Sequence, residues 1–163
     1  MFFKRRFFIW VSLFVLAAIW GLAAGDDFTA TWVFNKEKSD PYTRRGDKPD
    51  ITMVVEQSEG TLKVSQEFSM RGNQRKSDYT LTTDGESSII RVPGGEAMAK
   101  AKWEGQKLVI ESEQTRQTRR GEMTFRSKET WELSQDGKVL TQTQSIETPR
   151  GSRTRKFVFE REQ

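Results

Sequence analysis

The segment from Glu122 to Thr148 constrains the fold most, because two runs of alternating residues flank an Asp136-Gly137 pair. Asp-Gly between such runs is a strong β-hairpin signal, and a period of two with one apolar face is typical of strands over a core. Here the apolar face turns polar at mid-length. Its residues are Met123, Phe125, Ser127, Glu129, Trp131, Leu133, Leu140, Gln142, Gln144 and Ile146. This pattern predicts an enclosed, wet cavity.

Glycine-containing turn signals recur at short, regular intervals from Gly60 to Gly151. Short connections of this kind join neighbouring antiparallel strands, so the order of the strands in space follows their order in sequence. With a first strand at 28–34, they predict an all-β fold, an antiparallel up-and-down meander of about ten strands. Closure into a barrel removes the exposed edges of so long a sheet. The irregular stretch Asn35–Asp50 is predicted to be a loop, either functional or plain surface variation.

The N-terminal segment has the features of an export signal. Lys4, Arg5 and Arg6 precede an apolar run over 7–24, which ends in small residues before Asp26. We therefore predict a signal helix over residues 1–25 and a barrel domain over 26–163, in a periplasmic or secreted protein. An uncleaved inner-membrane anchor is the alternative, because the run is barely long enough to span a bilayer. The chain has no cysteine, so we expect no disulfides in the exported domain.

Composition argues against several classes of function. Three of the 27 basic residues lie in the leader, which leaves 24 against 23 acidic residues, too small an excess to support nucleic-acid binding. The absence of histidine removes the usual general base and the commonest zinc ligand, and no phosphate-binding or dinucleotide motif is present. We therefore expect a non-enzyme without cofactor or metal. An enzyme that uses Glu129 with Tyr79 or Lys100 is a minor alternative, because it needs those groups to converge.

The meander also predicts which turns share an end of the barrel. We call the end with turns at 59–60, 84–85, 104–105 and 136–137 the base, and the end with turns at 72–73, 94–95, 119–121 and 150–151 and the long loop the mouth. The residues expected to plug the base are Leu62, Val64, Leu81, Trp103, Leu108, Ile110, Trp131, Leu133, Leu140, Phe157 and Phe159.

Basic residues collect at the mouth, whereas the base turns are acidic. The basic residues are Arg44, Arg45, Lys48, Arg71, Arg75, Lys76, Arg91, Arg116, Arg119, Arg120, Arg150 and Arg153. A basic mouth is expected to steer anions toward the opening. The alternative is that these charges only keep the turns soluble.

Three short motifs resemble those of bacterial exported lipocalin-like proteins. They are F-T-A-T-W-V-F-N-K-E-K-S at 28–39, W-E-G-Q-K-L-V-I-E from Trp103 and W-E-L-S-Q-D-G-K-V-L-T from Trp131. More broadly, the chain looks like the calycins, the group of lipocalins and fatty-acid-binding proteins, which carry small hydrophobic or amphipathic ligands inside a barrel. The lipocalin resemblance implies a basic side chain from the last strand against the Trp of the first, and Arg161 matches that role for Trp32 by position.

The chain departs from both calycin branches at identifiable places. Ala30 stands where lipocalins favour a glycine before the first-strand Trp. Fatty-acid-binding proteins insert two helices after the first strand, where this chain has only the Asn35–Asp50 loop. Their inward Arg-x-Tyr on the last strand is similar to Arg153-Thr-Arg155-Lys-Phe157 but not the same.

From the pattern and the resemblance we predict a monomeric, exported carrier or sensor of a hydrophobic or amphipathic anion, such as a fatty acid or lipid fragment. Its apolar part would lie over Ala97, Ala99, Met123 and Phe125, and its acid near Arg155 and Arg116. The candidate binding residues are Arg155, Glu129, Arg116, Arg153, Gln114, Gln142, Gln144, Ser112, Ser127, Tyr79, Met123 and Phe125.

Arg155 is the most specific of these candidates. It alternates in step with Phe157 and Phe159, so we expect it to point inward and to pair with Glu129, since an unpaired buried charge is unfavourable. The pair either satisfies itself alone or also binds the ligand's acid. The alternative function is an envelope protein-interaction module whose basic mouth docks on an acidic partner or an anionic membrane surface. A cavity of about 300 Å³ or more favours the carrier.

Overall fold

The computed structural model describes residues 26–43, 45–92, 94–119, 121–148 and 151–163. The predicted signal helix lies outside the described residues, and so do Arg44, Arg120 and Arg150 of the predicted basic mouth. No helix in the described part of the chain is long and apolar enough to cross a membrane.

The described chain is all-β, and the predicted ten-stranded antiparallel meander is confirmed. The strands are β1 (Ala30–Phe34), β2 (Asp50–Ser58), β3 (Thr61–Met70), β4 (Asn73–Thr82), β5 (Asp84–Val92), β6 (Gly95–Glu104), β7 (Lys107–Thr118), β8 (Gly121–Leu133), β9 (Val139–Thr148) and β10 (Gly151–Arg161). The tight hairpins form because glycines at the turns adopt positive φ, as Gly137 does at +66°. Their strand order is β4-β3-β2-β1-β10-β9-β8-β7-β6-β5.

The barrel is nearly closed, with a seam between β4 and β5. Strand β1 pairs with both β2 and β10, which joins the two ends of the meander. Over their described residues, however, β4 and β5 share no hydrogen-bonded register, although only Thr83 separates them. The Thr83 amide donates to the carbonyl of Gly60 (2.7 Å), and the register of β5 against β6 shifts between Asp84 and Ser87. The predicted barrel is therefore confirmed as nearly closed, with its two edges at this seam.

Large apolar side chains fill the base, as predicted. Of the predicted residues, Trp103 and Leu133 pack partly buried against the core, and the others are buried. Phe28 contacts two tryptophans in these packed base residues, the base plug. Its ring stacks on Trp103 and meets Trp131 edge-on, with centroids 5.6 Å apart in both pairs. Such aromatic pairs stabilise a core beyond their buried area.

Trp32 in β1 and Arg161 in β10 form the contact that the lipocalin resemblance implied. Trp32 is fully buried, and its indole N–H donates to the carbonyl of Phe28 (2.9 Å). The guanidinium carbon of Arg161 lies 5.0 Å from the Trp32 ring centroid, within the range of cation–π attraction. Its Nε donates to the carbonyl of Gly137 (2.9 Å). Arg161 therefore connects the first and last strands, β1 and β10, to the β8–β9 turn.

The loop between β1 and β2, residues 35–49, is the mouth loop. Its first half lies along β10, where the amide of Val158 donates to Ser39 Oγ (2.8 Å) and the amide of Lys156 donates to the Asp40 carboxylate (2.7 Å). Ser39 is buried by this contact. The loop is therefore fixed to the last strand rather than extended into solvent.

The second half of the mouth loop crosses the opening of the barrel. The Tyr42 ring lies 5.2 Å from that of Phe68 and 6.0 Å from that of Phe157. Asp47 forms an ion pair with Arg71 of the β3–β4 turn (2.6 Å), which shows that the loop and this turn share one end of the barrel, as the meander predicted. Hydrogen bonds from Thr43 and Arg71 lower the pKa of Asp47.

Candidate functional site

A cavity of about 470 Å³ lies inside the barrel between the base plug and the mouth loop. Its lower wall is apolar and includes Ile110, Trp131 and Phe159, whereas Tyr42 and Thr43 of the mouth loop line its upper end. The small side chain of Ala97 leaves room on the inner face of β6. Side chains of these sizes do not fill the barrel, so the interior keeps a volume typical of small-molecule sites.

Ten of the twelve candidate binding residues line this cavity. They are Tyr79, Ser112, Gln114, Arg116, Phe125, Ser127, Glu129, Gln142, Gln144 and Arg155. The other two, Arg153 and Met123, are half-buried near the mouth and do not line it. Both residues have the predicted alternation, but they lie nearer the rim of the barrel than Arg155 and Phe125. Alternation alone therefore does not show that a residue lines the cavity. A ligand-binding role for all twelve stays a prediction.

Arg155 points into the barrel, but its predicted ion pair with Glu129 is wrong. None of the described carboxylates forms an ion pair with Arg155. Instead, its Nη1 donates to the carbonyl of Tyr42 (2.6 Å), and the Tyr42 ring lies 5.3 Å from its guanidinium carbon. Burial and the charge of Arg153 lower the pKa of Arg155, and its Nε is buried without an acceptor. Arg155 therefore holds the mouth loop.

Glu129 takes its hydrogen bonds from neutral groups. Gln144 Nε2 donates to its Oε1 (2.6 Å), and Trp131 Nε1 donates to its Oε2 (3.2 Å). Arg155 pairs in register with Gln144, which pairs in turn with Glu129, so the predicted heights agree. Two strand spacings nevertheless separate Arg155 from Glu129, about 9–10 Å. Gln144 stands between them and satisfies the carboxylate.

Tyr79 of β4 faces this polar wall. Burial raises the pKa of the Tyr79 phenol, and the negative charge of Glu129 raises it further. The phenol is therefore a neutral hydrogen-bonding group at physiological pH. Lys100 is exposed on the outer face of β6, so it does not converge with Glu129 as the Lys100 form of the enzyme alternative requires.

Gln114 and Arg116 form a second polar group on β7, closer to the mouth. The Nε of Arg116 donates to Gln114 Oε1 (2.5 Å), and its guanidinium carbon lies 5.1 Å from the Phe125 ring centroid. Gln114 is 6% exposed, and its Nε2 is buried without an acceptor. Deeper in the cavity, the hydroxyls of Ser112 and Ser127 are 2.8 Å apart, and Gln142 Nε2 contacts the Met53 sulfur (3.6 Å).

Comparison with known proteins identifies the architecture. No family model and no curated protein matches the sequence. The zebrafish ileal bile-acid-binding protein complexed with cholic acid is similar in structure, with a TM-score of 0.56 at 15% identity over 83% of this chain and 98% of that chain. The REP1-NXSQ fatty acid transporter gives a TM-score of 0.58 at 9% identity over 84% and 97% of the two chains.

A third similar structure is secretory abundant heat soluble protein 4 from Ramazzottius varieornatus, with a TM-score of 0.56 at 11% identity over 85% of this chain and 97% of that chain. All three match over nearly their full length. The chain has a calycin-type barrel. Because the identities are low, these similarities concern the fold, as the motifs at 28–39, Trp103 and Trp131 implied.

The sequence pattern missed several residues that line the calycin barrel's cavity. Ile51 and Met53 of β2 and Ile90 of β5 contribute to its apolar wall. The alternation of Ile51, Met53 and Val55 was a usable signal, because all three are buried. Tyr42 carried no such signal, because its inward position depends on contacts of an irregular loop.

The mouth of the calycin barrel keeps most of its predicted basic residues unpaired. Those described are Arg45, Lys48, Arg71, Arg75, Lys76, Arg91, Arg116, Arg119 and Arg153, of which only Arg71 and Lys76 form ion pairs within the described chain. Steering of anions by this end stays a prediction. Among the described residues, no group of three or more acidic, His or Cys side chains is placed to hold a metal ion.

Proposed function

We propose that this protein binds a small amphipathic molecule inside the barrel, as a carrier or sensor. The observation that carries the proposal is the 470 Å³ cavity, whose apolar lower wall faces polar groups with unused N–H donors. A volume above about 300 Å³ is in the range of ligand pockets. Buried donors without acceptors are uncommon, so those on Gln114 and Arg155 favour a bound acceptor.

The structural neighbours support this class of ligand. One is complexed with cholic acid and another is a fatty acid transporter, and both ligands combine apolar bulk with an acid group. The present cavity offers the same two environments. Ile51, Ile90 and Phe157 present apolar surface, whereas Arg116 and Arg155 bring positive charge to its wall.

Calorimetric titration with decanoate tests this proposal. Two adjacent residues of β6 are substituted, one inside the barrel and one outside. Ala97 lines the cavity, whereas Met98 lies on the outer face and is 57% exposed. Ala97→Phe places a ring inside the cavity and is expected to weaken binding at least about tenfold, a loss of about 1.4 kcal/mol. Met98→Phe adds a ring outside and is expected to leave binding unchanged. Equal binding by wild type and both variants would contradict an internal site.

We also propose that the protein is exported by its N-terminal segment, and that the barrel works in the periplasm or outside the cell. The basic, apolar and small residues of 1–25 support this proposal. A fusion of residues 1–30 to alkaline phosphatase, which is active only after export, is expected to be active in a bacterial host. The control is a fusion of the chain from Asp26 onward, which lacks this segment and is expected to be inactive. If the fusion of residues 1–30 is inactive as well, export is contradicted.

A further inference from the structure

Arg116 is a cation held in one orientation with its terminal nitrogens free. Its Nε donates to Gln114 Oε1, and its guanidinium lies over the Phe125 ring. Gly94 lies so close that a methyl group there would come within 2.8 Å of the guanidinium carbon. Within the described chain, the two terminal nitrogens of Arg116 have no hydrogen-bond partner, and Arg116 has no ion-pair partner. Such a fixed, open fork matches the two oxygens of a carboxylate.

Gln114 adds a neutral donor beside this fork. Its amide oxygen accepts the Arg116 bond, which orients the amide and leaves Nε2 as the group without a partner. An unmade hydrogen bond at a buried donor is unfavourable, so an acceptor bound at this position stabilises the protein. A methyl group at Gly95 would lie 3.6 Å from Nε2, at ordinary contact distance, so the start of β6 lies directly beside this donor.

We propose that Arg116 and Gln114 bind the acid group of a carboxylate ligand at the mouth side of the cavity. This proposal rests on the proposed function, because it names the ligand class and the ligand's orientation in the same cavity. The tail would then extend away from the mouth, toward the apolar wall that includes Ile110 and Phe159.

Arg155 is less suited to this role because the mouth loop already engages it. Its Nη1 donates to the Tyr42 carbonyl, and the Tyr42 ring lies against its guanidinium. A ligand acid at Arg155 would have to compete with both contacts. Arg116 also has a hydrogen bond, from its Nε to Gln114, and a ring contact with Phe125, but both of its terminal nitrogens remain available to an acid within the described chain.

Titrations with decanoate and decan-1-ol test the proposal, because the two probes share a chain and differ in the acid. We expect the wild type to prefer decanoate by about tenfold or more, the range of hydrogen bonds to charged groups. Arg116→Met is expected to abolish the preference and to change decan-1-ol affinity less than about threefold, since the alcohol makes no charged contact. Retained alcohol binding also shows that the variant is folded. Arg155→Met, at the other arginine of the cavity, is the comparison and is expected to reduce the preference less than Arg116→Met does.

A pair of glycine variants tests the fixed orientation without removing any donor. Gly94 has φ +96° and Gly121 has φ +100°, so alanine strains the backbone similarly at both. Only at Gly94 does the new methyl group meet the Arg116 guanidinium, because nothing lies within 4 Å of the corresponding position at Gly121. We expect Gly94→Ala to weaken decanoate binding about tenfold, and Gly121→Ala to change it less than about threefold.

The outcomes separate this inference from the proposed function. If acid and alcohol bind the wild type equally well, or if Arg155→Met and not Arg116→Met removes the acid preference, the site at Arg116 is overturned while internal binding stands. Equal effects of the two glycine variants also overturn it. If neither probe binds the wild type, the proposed function fails and the acid site fails with it.

Discussion

The Glu129 carboxylate is bound by the Gln144 amide, over 2.6 Å, across the β8–β9 pair. This hydrogen bond takes the place of the ion pair with Arg155 that the sequence predicted. A half-buried carboxylate can be satisfied by neutral donors, and Trp131 provides the second. Arg155 instead binds the mouth loop through the carbonyl of Tyr42.

Removal of the Gln144 amide tests the importance of this contact for the fold. Gln144→Leu is expected to lower the free energy of unfolding by about 1–3 kcal/mol, because the Glu129 carboxylate loses its shortest hydrogen bond. Chemical denaturation measures the change. Gln117→Leu is the control, because that amide bonds Glu122 on the exposed surface and its loss is expected to change stability by less than about 0.5 kcal/mol. Equal effects would show that Glu129 does not depend on Gln144.

Tyr79 is expected to make stability fall at alkaline pH. Its pKa is raised in the folded state, so folding retains a proton that the unfolded chain releases near pH 10. The contribution of protonated Tyr79 to the free energy of unfolding is therefore fully present below that pH, and it is lost as the pH rises toward the folded pKa. Tyr79→Phe removes the ionisable group and is expected to flatten the decline between pH 9 and 11, relative to wild type. An unchanged decline would place Tyr79 in solvent.

The aromatic plug at the base is expected to dominate stability. Trp131 is fully buried and meets Phe28 edge-on, so Trp131→Ala is expected to cost about 3–5 kcal/mol. Thermal or chemical unfolding measures the loss. Ile89→Ala is the control, because Ile89 is 73% exposed on the outer face and should contribute less than about 1 kcal/mol. A loss below that value at Trp131 would contradict the plug.

Asp47 is expected to hold the mouth loop closed. Its carboxylate binds Arg71 and Thr43, and its carbonyl accepts the amide of Tyr42 (2.9 Å). Asp47→Asn removes the charge, so the Tyr42 amide is expected to exchange with deuterium faster, by about threefold or more. Because the pKa of Asp47 is lowered, the wild-type loop should loosen only as the pH falls below 3.8. Glu37→Gln, at an exposed loop carboxylate without an ion pair in the described chain, is the control.

Much of this fold was predictable because period-two alternation specifies strands locally. The Asp136-Gly137 hairpin, the buried face with Trp131 and Leu140, and the strand order all follow from that pattern. The seam between β4 and β5 could not be predicted in this way, because a connection of one residue, Thr83, normally implies that the two strands pair. Its amide instead bonds Gly60, a contact distant in sequence.

The candidate site was predictable in its lining but not in its contacts. Alternation gave the direction of Arg155, and the meander gave its height. The meander also places β9 between β8 and β10, so Gln144 stands between Arg155 and Glu129 and binds the carboxylate. Tyr42 could not be found from any periodicity, because packing against Phe68 and Phe157 positions it.

The most direct test of ligand binding inside the barrel is a nuclear Overhauser experiment on the protein with ¹³C-labelled decanoate. Internal binding predicts cross-peaks from the decanoate methylenes to Ile90, Ala97 and Phe125, which line the cavity. It predicts none to Ile89 and Met98, which neighbour Ile90 and Ala97 in sequence but face solvent. Cross-peaks to the outer residues, or no bound decanoate at millimolar concentration, would contradict the account.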